Sequence, residues 1–208
     1  MRLGPLDTRI VGIGDAAAGL CGGMAMTARD LWAAGLPSPA DATPPENGSR
    51  RFAALVRRQV QSLDWMRVPI RYGWLAALAG PLRQGPVAVP TIEREWPRVR
   101  DEIDAGRPCL LELIRAGGFT IGALTQNHQV LAFAYSESAD AAGASTVRVR
   151  VYDPNHPGAD DVALEVTTAA DDGRPAAARI TLRQTTGEPL LGFFRGPVLA
   201  NESVAAWR

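Results

Sequence analysis

The sequence predicts an α+β fold in which a helical lobe precedes a curved antiparallel sheet. Three observations lead there. Apolar residues recur with helical spacing up to about residue 106, and from about residue 107 they recur at every second position. Clusters of Gly, Pro, Ser and Asp mark the places where the pattern breaks. Helices first and strands second is the order of a segregated α+β architecture rather than of alternating βαβ units. The 208 residues, 46% of them apolar, suit one domain, with a helical lobe over about 15–106 and a sheet lobe over about 107–200.

From Leu20 to Ala34 the positions Leu20, Met24, Ala28, Leu31 and Trp32 form an apolar stripe, with Arg29 and Asp30 assigned to the wet side, and Gly35 and Pro37 stop the helix. Residues 36–49 read as a surface loop. Ser49 then caps a helix marked by Phe52, Leu55, Val56, Leu63 and Met66, with Arg50, Arg51, Arg57 and Arg58 placed outside. A third helix covers Ile70–Ala79, ended by Gly80 and Pro81. A fourth starts at Glu95-Trp96-Pro97, where proline is tolerated in the first turn, and runs to Gly106. Strands are expected at Cys109–Ile114, His128–Tyr135, Thr146–Tyr152, Val162–Thr167, Arg179–Arg183 and Gly192–Arg195. The five tryptophans (Trp32, Trp65, Trp74, Trp96 and Trp207) read as core or lobe-interface anchors. Segments 36–49, 81–92 and 136–145 are expected to border the cleft between the lobes.

Twenty-two basic residues balance twenty-two acidic ones, which argues against a nucleic-acid or anionic-membrane partner. No run reaches the length of a membrane span, and Asp7 and Asp15 interrupt what would be the apolar part of a signal peptide. The expected location is the cytoplasm, and there the two cysteines, Cys21 and Cys109, are expected to be free thiols. Cys109 lies in the apolar run Cys109-Leu110-Leu111-Glu112-Leu113-Ile114 and is expected to be inert. No cofactor motif is present: glycines surround Gly12-Ile13-Gly14-Asp15, but no phosphate-cradling pattern does.

Cys21 falls in the first turn of the first helix, where unpaired N–H groups and the positive dipole end favour an anion. Two readings follow. Either the flanking glycines admit another molecule's backbone to an activated thiol, or they serve tight packing around a buried cysteine. If Cys21 has a base, His128, at the mouth of an apolar strand, is the candidate. The other histidine, His156, lies in the turn-like Asp153-Pro154-Asn155-His156-Pro157-Gly158. Strand register supplies a third member. With strands 128–135 and 146–152 paired around a 136–145 loop, Tyr135 faces Thr146, paired positions sum to 281, and His128 comes opposite Asp153. Asp153 also fits a plain turn-capping role. A zinc reading through Cys21, His128 and His156 matches no compact ligand spacing, so no metal is expected.

Cys21-Gly22-Gly23 at a helix start, His128-Gln129-Val130-Leu131 on a strand, and Val149-Arg150-Val151-Tyr152 ending in Asp153-Pro154 together resemble the papain-like cysteine peptidases, particularly the bacterial C39-like group. The match spans roughly residues 15–160 and keeps the order Cys, His, Asp. The resemblance implies a papain-like cysteine proteinase fold and a Cys21–His128–Asp153 triad. It implies a peptide or small acyl substrate, turned over as a thiol-dependent hydrolase or acyltransferase, or else a binding module that has kept the cleft without the chemistry. Such peptidases commonly place a glutamine several residues before the cysteine to help stabilise the oxyanion; here no glutamine precedes Cys21, and the position six before it is Asp15. An ionised Asp15 repels an oxyanion, so Gly22, Gln126 and Asn127 join Asp15 as candidate supporting residues.

Overall fold

The computed structural model describes residues 2–3, 6–7, 19–37, 43, 45–65, 67–79, 85–117 and 126–207. Two two-residue strands, β1 (Arg2–Leu3) and β2 (Leu6–Asp7), pair with each other. The helices α1 (Cys21–Ala33), α2 (Arg50–Ser62) and α3 (Arg67–Ala79) follow. Ser49 caps α2 as expected, its hydroxyl accepting the Phe52 N–H at 3.1 Å. Gly35, with φ of +69°, takes the left-handed conformation just beyond the end of α1.

The described part of 81–92 is helical rather than a bordering loop. Helix α4 (Gly85–Pro90) runs through a π-helical turn, Thr91–Glu95, into α5 (Trp96–Asp104). Proline pairs disguise this segment, yet Val87, Ala88, Thr91 and Glu95 share one buried face at helical spacing. The turn is docked on the sheet where the Phe193 N–H donates to Thr91 Oγ1 at 3.1 Å.

The strands β3 (Cys109–Ile114), β4 (His128–Ala139), β5 (Ser145–Tyr152), β6 (Ala163–Thr168), β7 (Ile180–Gln184) and β8 (Gly192–Arg195) form one antiparallel sheet in the order β7-β6-β5-β4-β3-β8, with the short helix α6 (Ala176–Arg179) leading into β7. The sheet curls into a nearly closed barrel, and α4 touches both edge strands, β7 and β8. Inside it, Leu111, Leu113, Val130, Ala132, Val149, Val151, Leu164 and Val166 pack with Trp96 and Val99 of α5. On the other face, Leu110 and Leu131 lie under Ala25, Met26 and Ala28 of α1, and Ile114 lies under Val68, Tyr72 and Leu75 of α3. The chain is therefore an α+β protein, as its periodicity predicts.

The β4–β5 hairpin is tighter than expected and differently registered. Its strands extend to Ala139 and from Ser145, leaving a loop of 140–144, and Tyr135 pairs with Val149 instead of Thr146. The paired numbers sum to 284 up to Ala134–Arg150, then to 283 at Ala132–Val151 and Leu131–Tyr152. A β-bulge at Phe133 makes the difference.

Two further expectations are corrected. Arg58 and Asp30 are not on wet faces: both are buried and join α1 to α2, with Arg58 Nε and Nη2 donating to Asp30 Oδ2 and Oδ1 at 2.7 and 2.5 Å. A periodicity argument assigns charges outward by default and cannot see that two of them meet across helices. Of the tryptophans, Trp96 is a core residue, while Trp32, Trp65 and Trp74 are exposed. Trp207 lies beneath the Arg51 guanidinium.

Candidate active site

Cys21 is the first residue of α1 and is half-buried. Leu20, at the N-cap, supplies no side-chain cap. The Gly23 N–H is taken by Gln59 Oε1 of α2 at 2.8 Å. The N–H groups of Cys21 and Gly22 precede the helical ladder, and among the described residues no acceptor bonds them. The glycines do not open the site to another molecule. A Cβ on Gly22 would lie 1.8 Å from Gln129 Oε1, and one on Gly23 2.3 Å from the Leu55 carbonyl oxygen. Both glycines are present so that α2 and β4 can pack against the start of α1, as the packing reading of the sequence has it.

His128 opens β4 and Asp153 directly follows β5; both are buried. His128 Nε2 meets Asp153 Oδ1 at 2.6 Å, and the Cys21 side chain lies near enough to the ring to favour its charged form. With Nε2 committed to the carboxylate, Nδ1 is the nitrogen left for the thiol. Burial alone disfavours the imidazolium, but the Asp153 bond and the charges of Asp153 and Cys21 outweigh it and raise the His128 pKa to about 9. Burial likewise opposes ionisation of Asp153, and its bonds to His128 and the Asn155 N–H, together with the Arg115 charge, hold its carboxyl below the ordinary range.

Asp153 is held on every side. Oδ1 also accepts the Asn155 N–H at 2.9 Å, and Oδ2 accepts Gln184 Nε2 at 2.8 Å. The Arg115 guanidinium lies 3.8 Å from Oδ2 and donates to Gln184 Oε1 at 2.7 Å. Asp153 therefore caps a turn and bonds the imidazole through the same oxygen.

The remaining candidates are dispersed. Asp15 lies outside the described residues. Gln126 is exposed. Asn127 Oδ1 accepts the Arg115 N–H at 3.1 Å, tying the end of β3 to the start of β4, while its buried Nδ2 has no partner among the described residues. His156 bonds Glu188 Oε1 at 2.6 Å. Among the described residues no three His, Cys, Asp or Glu side chains are grouped to hold a metal. Cys109 is buried in β3, and desolvation pushes its thiol up to about 12.

Sequence reasoning missed the polar residues around this trio: Gln184 and Arg115 beside Asp153, and Gln59, Gln129, Glu112 and Tyr72 beneath the thiol and ring. One signal was available. Glu112 interrupts an otherwise apolar strand and is fully buried there. Gln184 and Arg115 sit in contexts that mark nothing.

Fold and site together define an α+β protein in which a cysteine at a helix start lies near a histidine hydrogen-bonded to an aspartate, the histidine opening one strand and the aspartate following its neighbour. Comparison with protein-family models, with curated proteins and with solved structures gives no match. Among the described residues no helix is long and apolar enough to cross a membrane.

Proposed function

We propose that the protein is a thiol-dependent hydrolase or acyltransferase with a papain-like arrangement. Cys21 is the nucleophile, His128 the proton carrier and Asp153 the residue that orients it. The observation that carries this reading is the buried His128 ring, bonded to the Asp153 carboxylate at 2.6 Å, with Cys21 at the start of α1 near enough to raise the ring's pKa.

The Cys21 thiol gives its proton to His128 as its sulfur attacks the carbonyl carbon of an amide, ester or thioester, and the carbonyl electron pair moves onto oxygen. The N–H groups of Cys21 and Gly22 suit that oxyanion. As the oxyanion collapses, His128 gives its proton to the leaving amine, alcohol or thiol, and an acyl-thioester remains on Cys21. Water, or an amine acceptor, then loses a proton to His128 as it attacks, and the thiol is restored. Both cysteines are free, which suits a reducing compartment such as the cytoplasm.

The test is alkylation followed by trapping. Iodoacetamide should label Cys21 much faster than Cys109, and Cys21→Ala should abolish the fast phase. Peptide, ester and thioester probes should then leave an acyl mass on Cys21 that is lost to water or transferred to an added amine. Equal, slow labelling of both cysteines overturns the activated thiol. Fast labelling with no acyl adduct favours a binding module instead.

A further inference from the structure

A chain of directed hydrogen bonds runs beneath the thiol and the imidazole. The Gly23 N–H can only donate, so Gln59 Oε1 accepts it and Gln59 Nε2 points to Gln129 Oε1, 3.2 Å away. Gln129 Nε2 therefore donates to Glu112 Oε1 at 2.8 Å. On the far side of Glu112, Tyr72 Oη lies 3.0 Å from Oε2 and 3.1 Å from the His128 carbonyl oxygen.

The proton count decides the state of Glu112. Tyr72 has one hydroxyl proton and faces two acceptors. If Glu112 is ionised, either its Oε2 or the His128 carbonyl goes without this donor in a fully buried setting. If Oε2 carries a proton, it donates to Tyr72 Oη and Tyr72 donates to the His128 carbonyl, so the hydroxyl no longer has to serve two acceptors. We propose that Glu112 is kept as the neutral acid and is a positioning residue. Through Tyr72 it holds the backbone of His128, and through Gln129 and Gln59 it holds the start of the Cys21 helix. The positioning role rests on the thiol reading above; the protonation state does not.

The surroundings fit. Glu112 is paired with Gln129 on β4 and Phe194 on β8, and the absence of a side chain at Gly196 leaves room for Oε1. The titratable groups facing it are Tyr72 and Arg71 from α3 and His128 from β4, with none from β8. Arg71 is bound to Glu95 at 2.6 Å, and the His128 ring is bound to Asp153. Cys21 of α1 and Arg115 act on Tyr72. Desolvation raises the Glu112 pKa to about 8, and desolvation with the nearby Glu112 keeps Tyr72 protonated.

Glu112→Gln reproduces the neutral acid, with Oε1 accepting from Gln129 and Nε2 donating to Tyr72. Wild type should show a carboxylic-acid infrared band near neutral pH that E112Q lacks. The urea midpoint of E112Q should also gain on wild type as pH rises from about 4.5 to about 8, because only wild type must keep a proton over that range. No band and a pH-independent gap overturn the neutral acid.

For the positioning role, E112Q should keep the wild-type Cys21 labelling rate at neutral pH, where Glu112 carries its proton. Tyr72→Phe, which removes one hydroxyl, should slow labelling by about five- to tenfold and lower the His128 titration midpoint. An unchanged His128 titration in Y72F overturns positioning even if wild-type Cys21 proves unreactive. A slow wild-type thiol with band and titration as expected overturns the thiol reading alone.

Discussion

His128 and Asp153 meet at 2.6 Å because Phe133 is left out of the ladder between them. With the outer hairpin's sum of 284 carried through unbroken, Ala132 would face Tyr152, and His128 would share a face with Tyr152 rather than Asp153. The bulge removes one residue from the count and brings the ring and the carboxylate to the same side. Phe133, 38% exposed and under the Arg150 guanidinium, is the residue turned out. Deleting Phe133 closes the bulge with Ala132 still opposite Val151 and Ala134 opposite Arg150, so the pair should survive and the His128 midpoint, followed by NMR, should stay near 9; a fall towards 6.5 would overturn this register account.

Replacing Asp153 by Asn, by contrast, should have an effect with a defined pH window. The folded-state pKa of His128, about 9, lies above its ordinary 6.5, so the protonated ring stabilises the fold fully below pH 6.5. That contribution is lost as pH rises through 9. Wild type should therefore exceed D153N in urea stability by roughly 2 to 3 kcal/mol at pH 6. The excess should shrink steadily between pH 6.5 and 9. A gap that is constant over this range would falsify the ion-pair account.

Gln184→Leu removes the donor to Asp153 Oδ2 and leaves a buried carboxylate oxygen with Arg115 alone, 3.8 Å away. A loss of about 1 to 3 kcal/mol is expected, with Cys21 labelling slowed. Unaltered stability would mean that the bond contributes nothing.

Gly22→Ala should both destabilise and misplace the site, since its methyl would come within 1.8 Å of Gln129 Oε1 and 2.4 Å of Ser62 Oγ. The expected loss is about 1 to 3 kcal/mol, with slower labelling of Cys21. Gly35→Ala, where a Cβ meets open space, separates crowding from backbone effects, because its strain comes from φ alone.

Arg58→Met strands Asp30 as a buried charge and should lose about 3 to 5 kcal/mol, whereas a second change of Asp30→Leu should recover part of it. Denaturation of the two single variants and the double variant measures this directly.

The sequence carried the fold class because helical and alternating periods are imposed by burial on one face, and all six strands of the main sheet fall within a few residues of their expected places. Cys21 and His128 were legible from composition and position: a thiol at a helix start, and one of two histidines at a strand mouth. The face shared by His128 and Asp153 was reached through a register that the structure replaces. The assumed sum of 281 and the observed 283 differ by two, which preserves the side of the sheet. What stayed hidden were groups whose role depends on a partner far away in the chain. Arg58 looked like its exposed neighbours Arg50, Arg51 and Arg57, and nothing local to Gln184 or Tyr72 announces the carboxylates they meet. The helical run 85–95 was hidden by prolines whose missing N–H groups are tolerated at a first turn and a π turn.

The Asp30–Arg58 pair also receives the far end of the chain. Arg58 donates to the Ala200 carbonyl, Asp30 accepts the Glu202 N–H, and Arg29 donates to the Leu199 carbonyl, contacts that join residues 142 to 172 positions apart. During synthesis, Cys21, His128 and Asp153 have all been made before any of these clasps exists. The helix that carries the thiol emerges ahead of the other described helices, and one part of its fastening, the contacts of Arg29 and Asp30 with residues 199 and 202, waits until all three site residues have been made.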